Sequence, residues 1–126
     1  MTAMTWALLL VALGGAAGSL ARHFVTRLAE RLAGDRLPWG TLAVNLSGAA
    51  AAGALAPLLL QDGVPPSLWL AFGVGGLGSF TTVSGFAFEM RGLVASGRRC
   101  AAGIYLFLSL FLGLAGAAAG WALTAG

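Results

Sequence analysis

At 126 residues the chain is one small domain by length, but only 9% of it is charged and its mean hydropathy is +0.91. A soluble domain carries about 25% charged residues, so a soluble globule is excluded at the outset. Nor does the pI of 10.6 indicate a nucleic-acid surface: all seven basic residues are arginines, confined to two short stretches of an otherwise apolar chain.

Four segments, 1–21, 37–61, 63–88 and 100–126, hold no charged side chain. Each meets or exceeds the roughly 20 residues that a helix needs to cross a hydrocarbon core. The expected fold is therefore an all-α membrane protein with spans near 4–33, 38–61, 67–95 and 100–124. The first segment begins without the Lys or Arg of a signal-peptide leader and reads as a retained span. Beyond it, Phe24, Leu28 and Leu32 recur at helical spacing opposite Arg27, Glu30 and Arg31, and Gly34 is placed to end the helix. Arg22, followed by the only histidine, His23, reads by itself as a snorkelling side chain at the membrane surface.

The second span follows the turn Asp35-Arg36-Leu37-Pro38, with Pro38 suited to a first helical turn. Its segment GTLAVNLSG sets Asn45 well inside the membrane, either as helix glue or as an NH2 donor to a passing anion. After Pro57, the stretch Asp62-Gly63-Val64-Pro65-Pro66 reads as a short exposed turn. Gly14 and Gly18, Ala49 and Gly53, and Gly116 and Gly120 stand four apart, fitting either an intimate dimer or close packing within one chain.

The third span holds GVGGLGSFTTVSGF, whose first six residues match GxGxxG. A dinucleotide loop needs a strand before it and an acidic residue about 20 positions on, and neither is here. Glycines and four hydroxyl residues at membrane depth instead predict a helix broken mid-span, around residues 78–86. Such backbone is tolerated only inside protein or beside a polar cavity. It frees carbonyls that suit a cation and a half-helix N-terminus that suits an anion. The fourth span is apolar but for Tyr105, Ser109 and its ends, and the lone Cys100 excludes an internal disulfide.

Trp6, Trp39, Trp69 and Trp121 lie near span ends, where amphipathic rings anchor at headgroups. Arg22, Arg27, Arg31 and Arg36 follow the first span, while Arg91, Arg98 and Arg99 lie between the third and fourth. With four spans these stretches share one side, so the positive-inside rule predicts cytoplasmic arginines and both termini outside.

Three spaced motifs together resemble the Fluc (CrcB) family of bacterial fluoride channels over nearly the whole chain. GGAAGSLARH is similar to the family's GGxxGAxxRY, GTLAVN to its GTxxVN, and GLGSFTTVSGFAFE to its GxxTTFSTFxxE. The resemblance implies an antiparallel dimer of four-helix subunits in the bacterial inner membrane, with two narrow pores that let fluoride leave the cytoplasm passively. It implies a pore lined by Asn45 and Phe86, with Thr82 and Ser84 as hydroxyl donors, Tyr105 and Ser109 on a polar track, and Arg22 near the aqueous mouth. It also implies a structural Na+ on the dimer axis, held by the backbone carbonyls of Gly78 and Thr81. A strongly hydrated anion needs such donors, and aromatic rings offer it positive edges.

Two positions depart from the family pattern. Val83 stands in place of a pore phenylalanine and Gly85 in place of a hydroxyl residue, so each copy of this chain carries degraded pore positions. The one-sided arginines also conflict with one chain inserting both ways. Together they suggest one half of a heterodimer with a related chain of opposite charge bias, the alternative being a homodimer that tolerates valine. A small multidrug-type transporter is disfavoured because Glu30, Asp35, Asp62 and Glu89 read as flanking the spans. A non-conducting partner subunit is a further alternative, and no nucleophile–base arrangement points to an enzyme.

Overall fold

The computed structural model describes all residues, 1–126, and is entirely helical. Helix α1 covers Ala3–Ala33, α2 Trp39–Leu59, α3 residues 66–80, α4 Val83–Ala95 and α5 Arg99–Thr124, with α3 and α4 sharing the third span. All four spans are long and apolar enough to cross a membrane. At 31 residues α1 is about 46 Å long, well beyond the ~30 Å hydrocarbon core. Its last turns therefore project past the membrane, as the arginines among them require.

Local chemistry sets the ends. Thr2 caps α1 by accepting from the Thr5 N–H at 3.2 Å, and Gly34 closes it with φ of 79°. After α4, Gly97 adopts φ of 79°, which lets the Gly97 and Arg98 N–H groups bond back to Val94 and Leu93. That turn delivers the Arg98 guanidinium to the carbonyl of Arg36. The two arginine-bearing connections thus meet at one end of the bundle.

α1 packs along α3 and α2 along α5, and in both pairs backbones touch. A Cβ added to Gly14 would overlap the Ala71 carbonyl, and one on Gly18 the Gly76 carbonyl. Likewise Gly53 faces the Ala117 carbonyl and Gly120 the Ala50 carbonyl. Gly14, Gly18, Gly53 and Gly120 are therefore used for close packing within one chain, whereas Ala49 lines an open hollow. Gly53→Ala is expected to cost about 1–3 kcal/mol by overpacking and to lower the yield of folded protein, read by size-exclusion chromatography in detergent.

Only 12 of 126 residues are buried, and one compact cluster, Leu42, Leu93, Ala102 and Tyr105, lies toward the arginine end. A soluble fold of this length needs far more; here lipid takes the place of a core.

The third span is broken, but not by its glycines. Residues 69–77 wind as a π-helix that runs unbroken through Gly73, Gly75 and Gly76 into α3's last turn. The interruption falls at Thr81 and Thr82, with ψ of 157° and 116°. The glycines serve close approach instead: a Cβ on Gly75 would lie 2.6 Å from the Val11 carbonyl oxygen, and one on Gly73 would lie 2.5 Å from the Trp69 ring. Trp69 is thus a packing residue as well as a terminal one.

Candidate functional site

The break is held by α2. Asn45 Nδ2 donates to the Thr82 carbonyl at 2.9 Å, and the Thr82 N–H donates to Asn45 Oδ1 at 2.8 Å. A single side chain thus replaces both helical partners of Thr82. The Thr82 hydroxyl then caps α4, accepting from the Gly85 N–H at 2.9 Å.

These substitutions have a consequence for the carbonyls. In a continuous helix the Thr82 N–H would serve the Gly78 carbonyl, and the Gly85 N–H the Thr81 carbonyl. Both donors are committed elsewhere, to Asn45 and to the Thr82 hydroxyl, so the oxygens of Gly78 and Thr81 accept no hydrogen bond. Both residues line one groove of about 550 Å³, together with Asn45, Thr82, Phe86 and Ser109. Carbonyl oxygens without donors are hard ligands, so this pair fits a cation.

The groove also holds unspent donors. An asparagine amide has two N–H bonds, and Thr82 takes only one of Asn45's. Ser47, Ser79 and Ser96 return their hydroxyls to a carbonyl four residues earlier. Ser109 does not; it sits in a second π-helical stretch, Leu108–Leu112, and its hydroxyl makes no bond within the chain. Phe86 adds a ring between these donors and the bundle interior, packed on Tyr105 at a centroid distance of 5.1 Å.

Several expected site residues lie elsewhere. Tyr105 is fully buried behind Phe86 rather than on an open track with Ser109, because its hydroxyl donates to Glu89 Oε2 at 3.1 Å. Ser84 is exposed outside the groove, its hydroxyl 3.2 Å from that of Thr82. Arg22 is half-buried on α1 and borders neither large hollow. Val83 lines the groove's edge at 82% exposure, the most exposed large apolar side chain of α4. At Gly85 a Cβ would come 3.0–3.1 Å from the Thr82 side chain, so glycine in place of a hydroxyl residue leaves room for the cap.

Glu89 corrects the reading of the acids. It does not merely flank a span: Oε1 accepts from the Thr41 hydroxyl at 2.8 Å and Oε2 from Tyr105. Both oxygens are engaged by protein, unlike the free acid that cation–proton exchange requires. Glu89 also borders a second hollow of about 620 Å³ at the arginine end, with Glu30, Asp35 and Arg36. The chain Glu89, Tyr105, Phe86 therefore links that hollow to the groove. A one-turn spacing marks it in the sequence: Thr41 and Asn45, Phe86 and Glu89, Tyr105 and Ser109 stand three or four apart on three helices.

Comparison with known proteins gives the same direction. Residues 9–121 match the family model described as CrcB-like protein, Camphor Resistance (CrcB). A Rhizobium etli protein named fluoride-specific ion channel FluC is 43% identical over 116 residues, 91% of this chain and 93% of its own. Proteins of the same name from Anaeromyxobacter dehalogenans and Thermus thermophilus are 46% and 42% identical, over 88% and 84% of this chain and 88% and 85% of theirs. With a four-span helical fold, a span broken at its paired threonines and this degree of likeness, the chain belongs to the CrcB family.

Proposed function

We propose that this chain is a subunit of a passive fluoride channel, not an enzyme, and that the groove beside the third-span break is its share of the pore. The observation that carries this is the set of donors at membrane depth that the fold leaves unspent: one N–H of Asn45 and the hydroxyl of Ser109. Fluoride must exchange its water for such donors, and the Phe86 ring edge supplements them. The Thr82 hydroxyl caps α4 only as an acceptor, so it keeps its own O–H as a further donor. Export down its gradient from the cytoplasm needs no coupling, consistent with Glu89 being engaged on both oxygens.

The groove lies on the surface of the single chain, so a second subunit is needed to close it. An antiparallel partner offering the same two carbonyls would bring two such pairs toward one axis, four oxygens for a structural Na+. The cation would offset the cost of an anion in low dielectric. Orientation follows the arginines, which the Arg98–Arg36 contact gathers at one end. We place that end in the cytoplasm of a bacterial inner membrane and both termini outside.

That fixed orientation and the exposed Val83 favour a related chain, rather than another copy, as the antiparallel partner. Proteoliposomes loaded with fluoride decide this by efflux to a fluoride electrode. The chain alone is expected to release little, and co-reconstitution with a related chain of opposite charge bias to restore release. Val83→Phe is expected to raise efflux of the chain alone. Rapid efflux from the unaltered chain by itself would refute the two-chain reading.

A further inference from the structure

We propose that Gly48 is a positioning residue: by lacking a Cβ it lets the Thr81 end of the break seat against α2, and so sets where the Thr81 carbonyl lies. This rests on the groove being half a fluoride pore with a cation beside it. Gly48 is buried and three residues after Asn45, on the same face of α2. Asn45 draws the break inward through two bonds to Thr82. Gly48 decides how close it comes.

A Cβ built on Gly48 would overlap Thr81 Cγ2 and lie 3.3 Å from Cδ1 of Phe80. Thr81 has little room to yield. Its hydroxyl donates to the Leu77 carbonyl at 2.9 Å and its N–H to the same oxygen at 3.0 Å. Rotating the side chain would exchange methyl for hydroxyl and break the first of these bonds, because a β-branched residue has no other torsion to use. An added methyl therefore pushes the backbone of Thr81. The carbonyl of Thr81 has no hydrogen-bond partner of its own, so nothing else returns it to place.

Not every glycine here is so constrained. At Gly116 an added Cβ would meet only ordinary contacts, 3.6 Å from the Leu46 carbonyl oxygen and 3.7 Å from Ala50 Cβ. Gly116→Ala is thus a matched control.

The test compares Gly48→Ala, Thr81→Ser, their double variant and Gly116→Ala with the unaltered protein, each with whichever partner chain the unaltered protein needs. Thr81→Ser removes Cγ2 and keeps the hydroxyl. Two readouts are taken: fluoride efflux, and the rise in melting temperature when N-methylglucamine chloride is replaced by sodium chloride, since a ion bound only by the native state stabilises it. Gly48→Ala is expected to lose both the efflux and the sodium-dependent rise, the double variant to regain both, and Gly116→Ala to keep both. A normal sodium-dependent rise in Gly48→Ala overturns the proposal. So does a double variant no better than Gly48→Ala, including the case where neither folds. Absence of efflux from the unaltered protein in every pairing refutes the channel reading instead, and the coupling of Gly48 to Thr81 is then judged on melting temperatures alone.

Discussion

Asn45→Asp is expected to abolish fluoride efflux while leaving the chain folded. The substitution keeps an oxygen to accept the Thr82 N–H, so half of the clamp survives. The other half inverts: where an N–H met the Thr82 carbonyl at 2.9 Å, two oxygens would oppose each other. The N–H left for an anion disappears as well. An ionised carboxyl about 4 Å from a passing fluoride would repel it by about 4 kcal/mol at an effective dielectric constant near 20, about a thousandfold in rate. Asn45→Ala should differ in kind. It forfeits two bonds, about 1 kcal/mol each in a membrane, and releases the Thr82 N–H to return to Gly78. Efflux then falls and sodium no longer stabilises the protein. Efflux at the unaltered rate from Asn45→Asp would remove Asn45 from the ion's path.

Much of the fold is legible in the sequence because lipid simplifies the problem. Uncharged runs of about 20 residues with arginines between them dictate four helical spans, each satisfying its backbone groups within itself. The break was legible too, from hydroxyl residues in an apolar run, and it falls at Thr81 and Thr82, inside the stretch 78–86 that they marked. The glycines just before it do not extend the break, because Gly75 and Gly76 are held helical by contact with α1, which a one-dimensional reading does not contain. The helix breaks after Thr81 because Asn45, 37 positions away, outcompetes it for both backbone groups of Thr82.

The same limit applies to the site. The motif residues Asn45, Phe86, Gly78 and Thr81 do share one groove. Tyr105 and Glu89 are separated from it by one layer, visible only once α4 and α5 pack. Periodicity assigns a residue to a helical face; it does not say whether that face meets a cavity, a neighbour or lipid. Val83 illustrates this, since its exposure comes from the path of α4 after the break rather than from its own hydropathy.

Removing Glu89 is the other substitution with a large expected effect. Its two oxygens satisfy the Thr41 and Tyr105 hydroxyls, so Glu89→Ala leaves two polar groups without partners at about 1–3 kcal/mol each. Tyr105 supports Phe86 from behind, and losing its anchor lets both rings shift toward the vacated space. The expected result is a lower melting temperature together with efflux below detection. Tyr105→Phe isolates the hydroxyl from the ring: Phe86 keeps its packing and Glu89 keeps Thr41, so efflux should fall only a few-fold. Glu89→Gln lies between the two, because its NH2 must face one of two hydroxyl donors and forces one to turn and accept. Melting curves and efflux of the three variants should therefore rank Ala below Gln below Phe. Equal efflux in all three would mean that the layer behind Phe86 does not govern the groove, and that the ion's route to the cytoplasmic hollow bypasses Glu89.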